Sequence, residues 1–530
     1  MCGLEIYISK DDFVCNNNCK HRGPDSTKQI DIKYFDYNIS LIFHRLSIID
    51  LEHGEQPFIY ETEDETIYLL CNGEIYNYKD LIKKYNLNTE SDCKVILEMF
   101  KIKNTNIYDI IPELDGEFAF VLLVLKKKYD DISVFYGRDR FGIRPLFHKI
   151  AKNSLFIASE LKGLPNMDGE QVEPRKIYFS DLDNKSQYIK NYYHIGTQIE
   201  YNSNIKDILI ESVRDRMQTE RPLGALLSGG LDSSLICGIA SRILSETGQR
   251  LNTFTIGMDI DSPDIEYARK VAKHINSIHH EIIIPVDVWL DNLKNVIRQI
   301  ETYDITTIRA SCGQYLISKW ISENTDIKVI LNGDGSDEVT SGYLYFYNAP
   351  DENSSHLENL NLLTQIHNYD VLRVDRGISA FGLESRVPFL SHKFVDTYLS
   401  IDKNLRNPLK LSNKSHKRIE KYELRNAFDN SNIIPEDVLW RVKEAFSDGV
   451  SSQKKSWFEY IEEYVAKQVT NEEFIENNKD NKFPSKEAYW YYSIYKQFYP
   501  NSELKVTYWM PKWSDEHKGD PSARKLKTIY

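Results

Sequence analysis

The chain has 530 residues, 41% hydrophobic and 27% charged, with a net charge of −13. That length exceeds one compact core and calls for two to three domains of an ordinary globular protein, not a disordered one. The acidic balance excludes a non-specific nucleic-acid partner or an anionic membrane surface.

Up to about residue 181, short apolar segments alternate with turns, and strands are expected at 41–49, 67–71, 118–125, 133–136 and 155–158. The longest apolar run, 118–125 (FAFVLLVL), suits a buried strand and falls far short of a membrane span. A helix is expected at 92–101, giving an α+β first domain. The polar, Asn/Tyr-rich stretch 183–204 reads as a linker, so the domains are placed at 2–185 and 203–530. Beyond it come a helix at 205–217, a strand at 223–227, a helix to 245, a strand at 253–258, a helix near 265–275, and strands at 281–284 and 328–331. Strand–helix alternation of this kind signals a doubly wound parallel sheet. The Asn-rich patches at 353–361 and 476–482 read as surface loops. Seven cysteines without framework spacing suit reduced thiols in a cytoplasmic setting. Acidic Asp11 and Asp12 leave no room for a secretory signal.

Met1 is followed by Cys2 and Gly3, a start that methionine removal turns into an N-terminal cysteine. Thiol and α-amine then share one residue, and the amine can take the thiol's proton to make the thiolate nucleophile. Asn72-Gly73-Glu74 follows a strand, and an Asn amide beside a Gly backbone N–H can serve as an oxyanion hole for amide cleavage. Arg45 suits the α-carboxylate of a free amino acid, and Glu74 or Asp92 its α-ammonium. Each fragment alone is ordinary, because Asn-Gly is also a common hairpin turn. The weight lies in their combination with Cys2.

The second half carries Ser228-Gly229-Gly230-Leu231-Asp232-Ser233-Ser234 between a strand and a helix. Glycines admit an anion to the backbone, helix N-terminal amides and serine hydroxyls donate to it, and Asp232 can hold a bridging Mg²⁺. The lysine of a P-loop is absent, so the loop suits pyrophosphate leaving as one unit, hence adenylation of a substrate. A second cluster, Asn332-Gly333-Asp334-Gly335-Ser336-Asp337-Glu338, ends another strand, where ligands bind in such folds. Its three acidic groups can hold metal or orient an amine, the catalytic role expected of Asp334 beside the intermediate. Lys443, within WRVKEAFSDG, can neutralise charge on phosphate oxygens, although taken alone such a lysine reads as a surface residue.

With these motifs in order, the chain resembles the glutamine-hydrolysing asparagine synthetases from end to end. MCG, HRGPD, HRLSIID, NGEIYN and SDCKVI resemble the N-terminal-nucleophile amidotransferases; ALLSGGLDSS, ETYDITTIRAS, NGDGSDE, ESRVPFL, WRVKEAFSDG, WMPKW and DPSAR follow, the last two closest to the eukaryotic type. The resemblance implies an αββα amidotransferase domain followed by an ATP-pyrophosphatase domain with a doubly wound parallel sheet. It makes Cys2 the nucleophile and gives glutamine to Arg45, Leu46, Ser47, Ile48, Ile49, Asn72, Gly73, Glu74 and Asp92. It lines the ATP site with Leu226, Ile256, Asn332 and Gly333, assigns Mg²⁺ to Asp232 and Asp337 and phosphate to Lys443, and sets Thr306, Thr307 and Arg309 near an aspartyl intermediate. Small-molecule substrates (L-aspartate, L-glutamine and ATP) are implied, with no nucleic acid, no membrane, and room for a homodimer.

Close relatives carry Ser-Gly-Glu where this chain has Asn332-Gly333-Asp334, so the Asp334 carboxylate is one methylene shorter. Two rivals share the build. A synthetase acting on another carboxylate would lose Cys2 or the aspartate segment, and a silent regulatory protein would erode Cys2, Asp232 or Lys443. This chain keeps them all.

Overall fold

A computed structural model of the protein describes residues 1–102, 106–129, 131–182, 186–196, 204–406, 419–443, 449–451 and 455–513. The DPSAR motif (520–524), residues 444–448 of WRVKEAFSDG, and residues 183–185 and 197–203 of the expected linker lie outside the described residues.

Twelve strands build the first unit: β1 (Gly3–Ser9), β2 (Ser26–Tyr34), β3 (Tyr37–Arg45), β4 (Phe58–Glu61), β5 (Glu65–Ile75), β6 (Gly116–Lys126), β7 (Ile132–Arg138), β8 (Phe147–Ala151), β9 (Ser154–Ala158), β10 (Glu170–Gln171), β11 (Lys176–Asp181) and β12 (Ser186–Asn191). They form two antiparallel sheets of order β10-β8-β9-β1-β3-β2 and β12-β11-β7-β6-β5-β4. Alternation explains the stacking. Leu4, Ile6 and Ile8 of β1 meet Ala119, Val121 and Leu123 of β6 in the core between the sheets. The intervening Phe118, Phe120 and Leu122 of β6 point the other way, into a core shared with the helix Val95–Ile102. The FAFVLLVL run is therefore apolar throughout because both of its faces are covered.

The second unit contains β13 (Leu223–Leu226), β14 (Asn252–Gly257), β15 (Ile278–Ile283), β16 (Val329–Leu331) and β17 (Glu384–Arg386), ordered β15-β14-β13-β16-β17 and all parallel. Successive connections leave β13 and β16 for opposite sides, so the crevice at their C-terminal ends is the topological switch point where such sheets take ligands. The helices Leu231–Ser245 and Ser336–Thr340 begin there.

Three expectations need correction. The strand expected at 41–49 stops at Arg45. Leu46 and Ile48 stay buried, but against Val329 of the second unit, so their apolar spacing records packing between units and not a sheet. The polar linker carries β12, an edge strand on β11 whose side chains face solvent, which is why its sequence reads as loop. The Asn-rich patch at 353–361 is helix Glu352–Gln365, capped by the Asp351 side chain accepting from Ser354 N and seated on Leu362 and Leu363. The second such patch begins inside the helix Asn471–Asn477.

The two units are fastened by buried ion pairs. Arg22 of HRGPD donates to Glu160 (2.8 Å), to Asp375 of the second unit (2.7 Å) and to the Cys2 carbonyl (2.9 Å). Glu117 at the edge of β6 meets Arg216 (3.0 Å) and Arg144 (3.2 Å). HRGPD is thus a cross-unit clasp that also fixes the Cys2 backbone.

Candidate active sites

The first site forms where β1 and β5 emerge side by side. Cys2 N donates to Asn72 Oδ1 (2.9 Å), which leaves the Asn72 Nδ2 amide buried with no hydrogen-bond partner among the described residues. An unspent amide beside a thiol is the donor an oxyanion requires. Gly73 lies opposite Phe118 in the ladder, where a Cβ would come within 2.1 Å of the Glu117 carbonyl oxygen, so only glycine lets β5 pass so close. Leu46 N donates to Cys2 Sγ (3.4 Å), an interaction that favours thiolate. Burial dominates nevertheless and pushes the Cys2 thiol up to about 11, so a base must act on it.

Around the thiol, the Arg45 guanidinium donates to the carbonyls of Asp50 and Leu51 and closes the turn that carries Ser47, Ile48 and Ile49. Ser47 N is held by Asp25 (2.9 Å), while Glu220 of the second unit bonds Ile48 O and Asp50 N. Glu74 and Asp92 are both buried, and burial raises both: Asp92 to about 6, Glu74 well above the usual carboxylate range. Asp92 accepts from Ile75 N (2.9 Å). Glu74 faces Arg386 of β17 across the unit boundary (3.3 Å) and keeps its Oε2 unspent among the described residues.

The second site is a cavity of about 270 Å³ at the switch point. Of the expected residues, Leu226, Ser228, Gly230, Asp232, Ser233, Ile256, Thr306, Asn332, Gly333, Asp334, Asp337 and Lys443 line it. Four do not. Gly229 sits one residue off the wall at φ +74°, where a Cβ would strike the backbone of Ala268, so it serves the turn and the approach of the helix Pro263–His274. Ser234 is buried behind the loop. Helical periodicity removes the other two. Thr306, Ala310 and Gln314 share the cavity face of the helix Ile305–Asn324, whereas Thr307 turns to Asp304 (2.7 Å) and Arg309 to Glu487 (2.6 Å). Thr306 Oγ1 and Asn332 Nδ2 are buried without partners among the described residues, two polar atoms available to a ligand.

Charge is concentrated on one wall. Asp232 Oδ1 accepts from Ser336 Oγ (2.7 Å), and Lys421 Nζ lies 2.6 Å from both Asp232 Oδ2 and Asp337 Oδ1, with Lys443 on the other oxygen of Asp337. Burial raises the Asp337 carboxyl, but these two ammoniums outweigh it and hold it below the ordinary range. Asp334 pairs with Arg373 and accepts from Gln314 Nε2 (3.2 Å); burial raises it despite the guanidinium. Gly335, not Asp334, is the N-cap of the following helix, and that helix has no side-chain cap bond, so Asp334 is not there as a cap. Lys421, Arg373 and the Glu338–Tyr343 pair were not legible as site residues. No motif surrounds Lys421 or Arg373, which the helices Tyr422–Phe428 and Asp370–Ser379 bring in, whereas Glu338 closes the expected cluster and only its pairing with Tyr343 was hidden.

A thiol site on antiparallel sheets, fastened to an anion-type crevice in a parallel sheet, defines a two-unit amidotransferase. Family models match accordingly: a glutamine amidotransferase domain over residues 1–202 and asparagine synthase over residues 204–364 and 356–516. The chain belongs to the glutamine-hydrolysing asparagine synthetase family. It is 39% identical over 572 aligned positions to the asparagine synthetases [glutamine-hydrolyzing] of Cricetulus griseus and Homo sapiens, covering 99% of this chain and 98% of each relative. The Gallus gallus protein of that name is 38% identical over 571 positions, covering 99% of both. Two solved structures, an allosteric regulatory enzyme of purine biosynthesis and a glutamine phosphoribosylpyrophosphate amidotransferase from B. subtilis, align over 53% of this chain and 80% of theirs. Their TM-scores of 0.30 and 0.29, at 13% and 12% identity, are too low to bear on the site. No helix among the described residues is long and apolar enough to cross a membrane.

Proposed function

We propose that the protein makes L-asparagine from L-aspartate, ATP and the amide nitrogen of L-glutamine, releasing AMP, pyrophosphate and L-glutamate. Once Met1 is removed, the Cys2 amine takes the thiol proton and the thiolate attacks the glutamine amide. Asn72 Nδ2 and the Gly73 N–H hold the oxyanion; collapse gives a glutamyl thioester and ammonia, and water then frees glutamate. Arg45 holds the α-carboxylate and Asp92 the α-ammonium, with residues 46–49 forming the wall. The raised Asp92 is ready to ionise against a cation.

In the second unit the aspartate side-chain carboxylate attacks the α-phosphorus of ATP, forming β-aspartyl-AMP and pyrophosphate. Ser228, Gly230, Ser233 and Lys443 receive phosphate oxygens, with the adenosine between Leu226, Ile256 and Gly333. Asp232 and Asp337 converge on a single cation position, which fits a Mg²⁺ ion that takes one or two carboxylates and completes its shell with phosphate oxygens. When bound, that ion offsets charge on the departing pyrophosphate. Asp334, which lines the same cavity as Thr306, orients the incoming ammonia and accepts its proton, and AMP leaves with one carboxylate oxygen.

The observation that carries this reading is the junction of the sites. Glu74 beside the thiol faces Arg386, whose carbonyl accepts Asn332 N (2.9 Å) on the loop that holds Asp334. Ammonia passed along this buried boundary stays unprotonated and nucleophilic, which bulk water at pH 7 would prevent. A cytoplasmic location and pairing into a homodimer belong to the same proposal. The test is aspartate labelled with ¹⁸O in its β-carboxylate: one label per turnover should appear in AMP. Label in inorganic phosphate, with ADP as co-product, would overturn the adenylate.

A further inference from the structure

Lys421 occupies the point where the cavity's two metal-type carboxylates converge. Its Nζ is 2.8 Å and 2.6 Å from the two oxygens of Asp232, 2.6 Å from Asp337 Oδ1 and 3.4 Å from Ser336 Oγ. The ammonium donates to both oxygens of Asp232 and to Ser336 Oγ, and it is ion-paired with Asp337. The lysine side chain is 1% exposed, against 19% for Asp232 and 16% for Asp337. Its path in is built. A Cβ on Gly342 would come within 2.1 Å of both Lys421 Cε and Asp337 Oδ1, so that glycine is the groove through which the stem reaches the carboxylates. The backbone is pinned at this point. Lys421 adopts φ +58° at the head of the helix Tyr422–Phe428, and neighbouring Glu420 accepts from Lys443 N (2.8 Å). Stem and ammonium are left as the movable part.

We propose that Lys421 is the resident cation of this cavity: it stands in for the divalent ion while the nucleotide is absent, and yields its place when the metal arrives on ATP. The inference rests on reading the cavity as the nucleotide site and deepens that reading. An ammonium and a divalent ion cannot share one position between two carboxylates, because they repel and compete for the same oxygens. Among the described residues no group of three or more His, Cys, Asp or Glu side chains converges as a metal cage. Two aspartates and a hydroxyl bind Mg²⁺ weakly on their own and need phosphate oxygens to complete the shell. Lys421 makes that dependence strict. Bare metal must evict an ion-paired, buried ammonium with nothing gained in return. A metal carried by ATP offers the displaced ammonium a new partner in the phosphate chain. The enzyme therefore takes metal and nucleotide together and keeps its carboxylates neutralised between turnovers.

The test is Mn²⁺ alone, titrated into the full-length protein without nucleotide, with free ion read by electron paramagnetic resonance. The parent should leave the Mn²⁺ signal as in buffer, whereas Lys421→Gln, its fold checked by circular dichroism, should retain one ion per chain at least tenfold more tightly. Lys421→Gln/Asp337→Asn should lose that ion again, which places it. Tight Mn²⁺ binding by the nucleotide-free parent, a result that needs no variant, would overturn the proposal, as would a folded Lys421→Gln protein no better than the parent. MnATP is titrated in parallel into the parent and Asp232→Asn. If those two bind it alike, the nucleotide-site reading itself fails, and this outcome is distinct from the other two.

Discussion

Replacing Gly333 by alanine probes the contact between the two loops of the crevice. The added Cβ would lie 2.8 Å from Ser233 N, 3.0 Å from Asp232 C and 3.2 Å from Asp232 Cβ. All three atoms belong to the opening turn of the helix Leu231–Ser245, and none can rotate away. Relief to an ordinary contact of 3.4 Å requires the loops to separate by about 0.6 Å, the difference between the two distances. Overpacking of this kind costs about 1–3 kcal/mol. It also moves Asp232 and Ser233 relative to Asn332 and Asp334, and displacements on the order of 1 Å cost ~100-fold in rate. Aspartate-dependent pyrophosphate release should therefore fall roughly 10- to 100-fold, while glutamine hydrolysis at Cys2, on the other unit, keeps its parental rate. A continuous pyrophosphate assay and a glutamate assay on the same preparation read both. Pyrophosphate release at the parental rate in Gly333→Ala would refute the placement of the two loops around one nucleotide.

Cys2→Ala should abolish glutamine-dependent asparagine synthesis and leave synthesis from ammonium chloride intact; residues added before Cys2 should act likewise, since the amine becomes an amide. Asp92 is raised to about 6 by burial, so it loses its charge below that pH and no longer pairs with the substrate ammonium. Glutaminase kcat/KM should fall about tenfold per pH unit below about 6, and Asp92→Asn should lack that limb. The same raised value means that the unliganded fold is favoured at low pH and loses stability as pH rises from the ordinary carboxylate range through about 6, which pH-dependent melting checks. Asp334→Ala should cut asparagine formation by ~10²–10⁴ with little change in melting temperature, and Asp334→Glu should be the mildest change at this position. Normal synthesis by a folded Asp334→Ala protein would remove Asp334 from the chemistry.

Much of the site is legible in the sequence where local signals coincide. At 228–234 a strand end, two glycines and a helix start give one answer, and the structure has that loop at the switch point. What sequence hides is the chemistry made by contact between distant segments. Leu46 and Ile48 keep strand-like spacing because Val329 covers them. Thr307 and Arg309 sit in the expected motif but on the wrong helical faces, a distinction of one or two residues that no linear motif encodes. Lys421 carries no surrounding pattern, since its partners Asp232 and Asp337 lie 189 and 84 positions away in sequence. Arg22 reads as a motif residue and Glu117 lies just outside the expected strand, yet both prove to form cross-unit ion pairs, buried because each finds a partner on the other unit.

The central claim is that nitrogen released at Cys2 becomes the amide of asparagine made in the switch-point crevice of the same protein. Incubating the enzyme with amide-¹⁵N-glutamine, aspartate and MgATP in the presence of unlabelled ammonium measures this directly by mass spectrometry of the product. The account predicts asparagine carrying ¹⁵N in its side chain well above the label fraction of the free ammonia pool, with AMP and pyrophosphate formed in equal amount. Asparagine labelled only to the level of that pool would contradict a sheltered route between the sites, and no asparagine at all would contradict the proposed reaction.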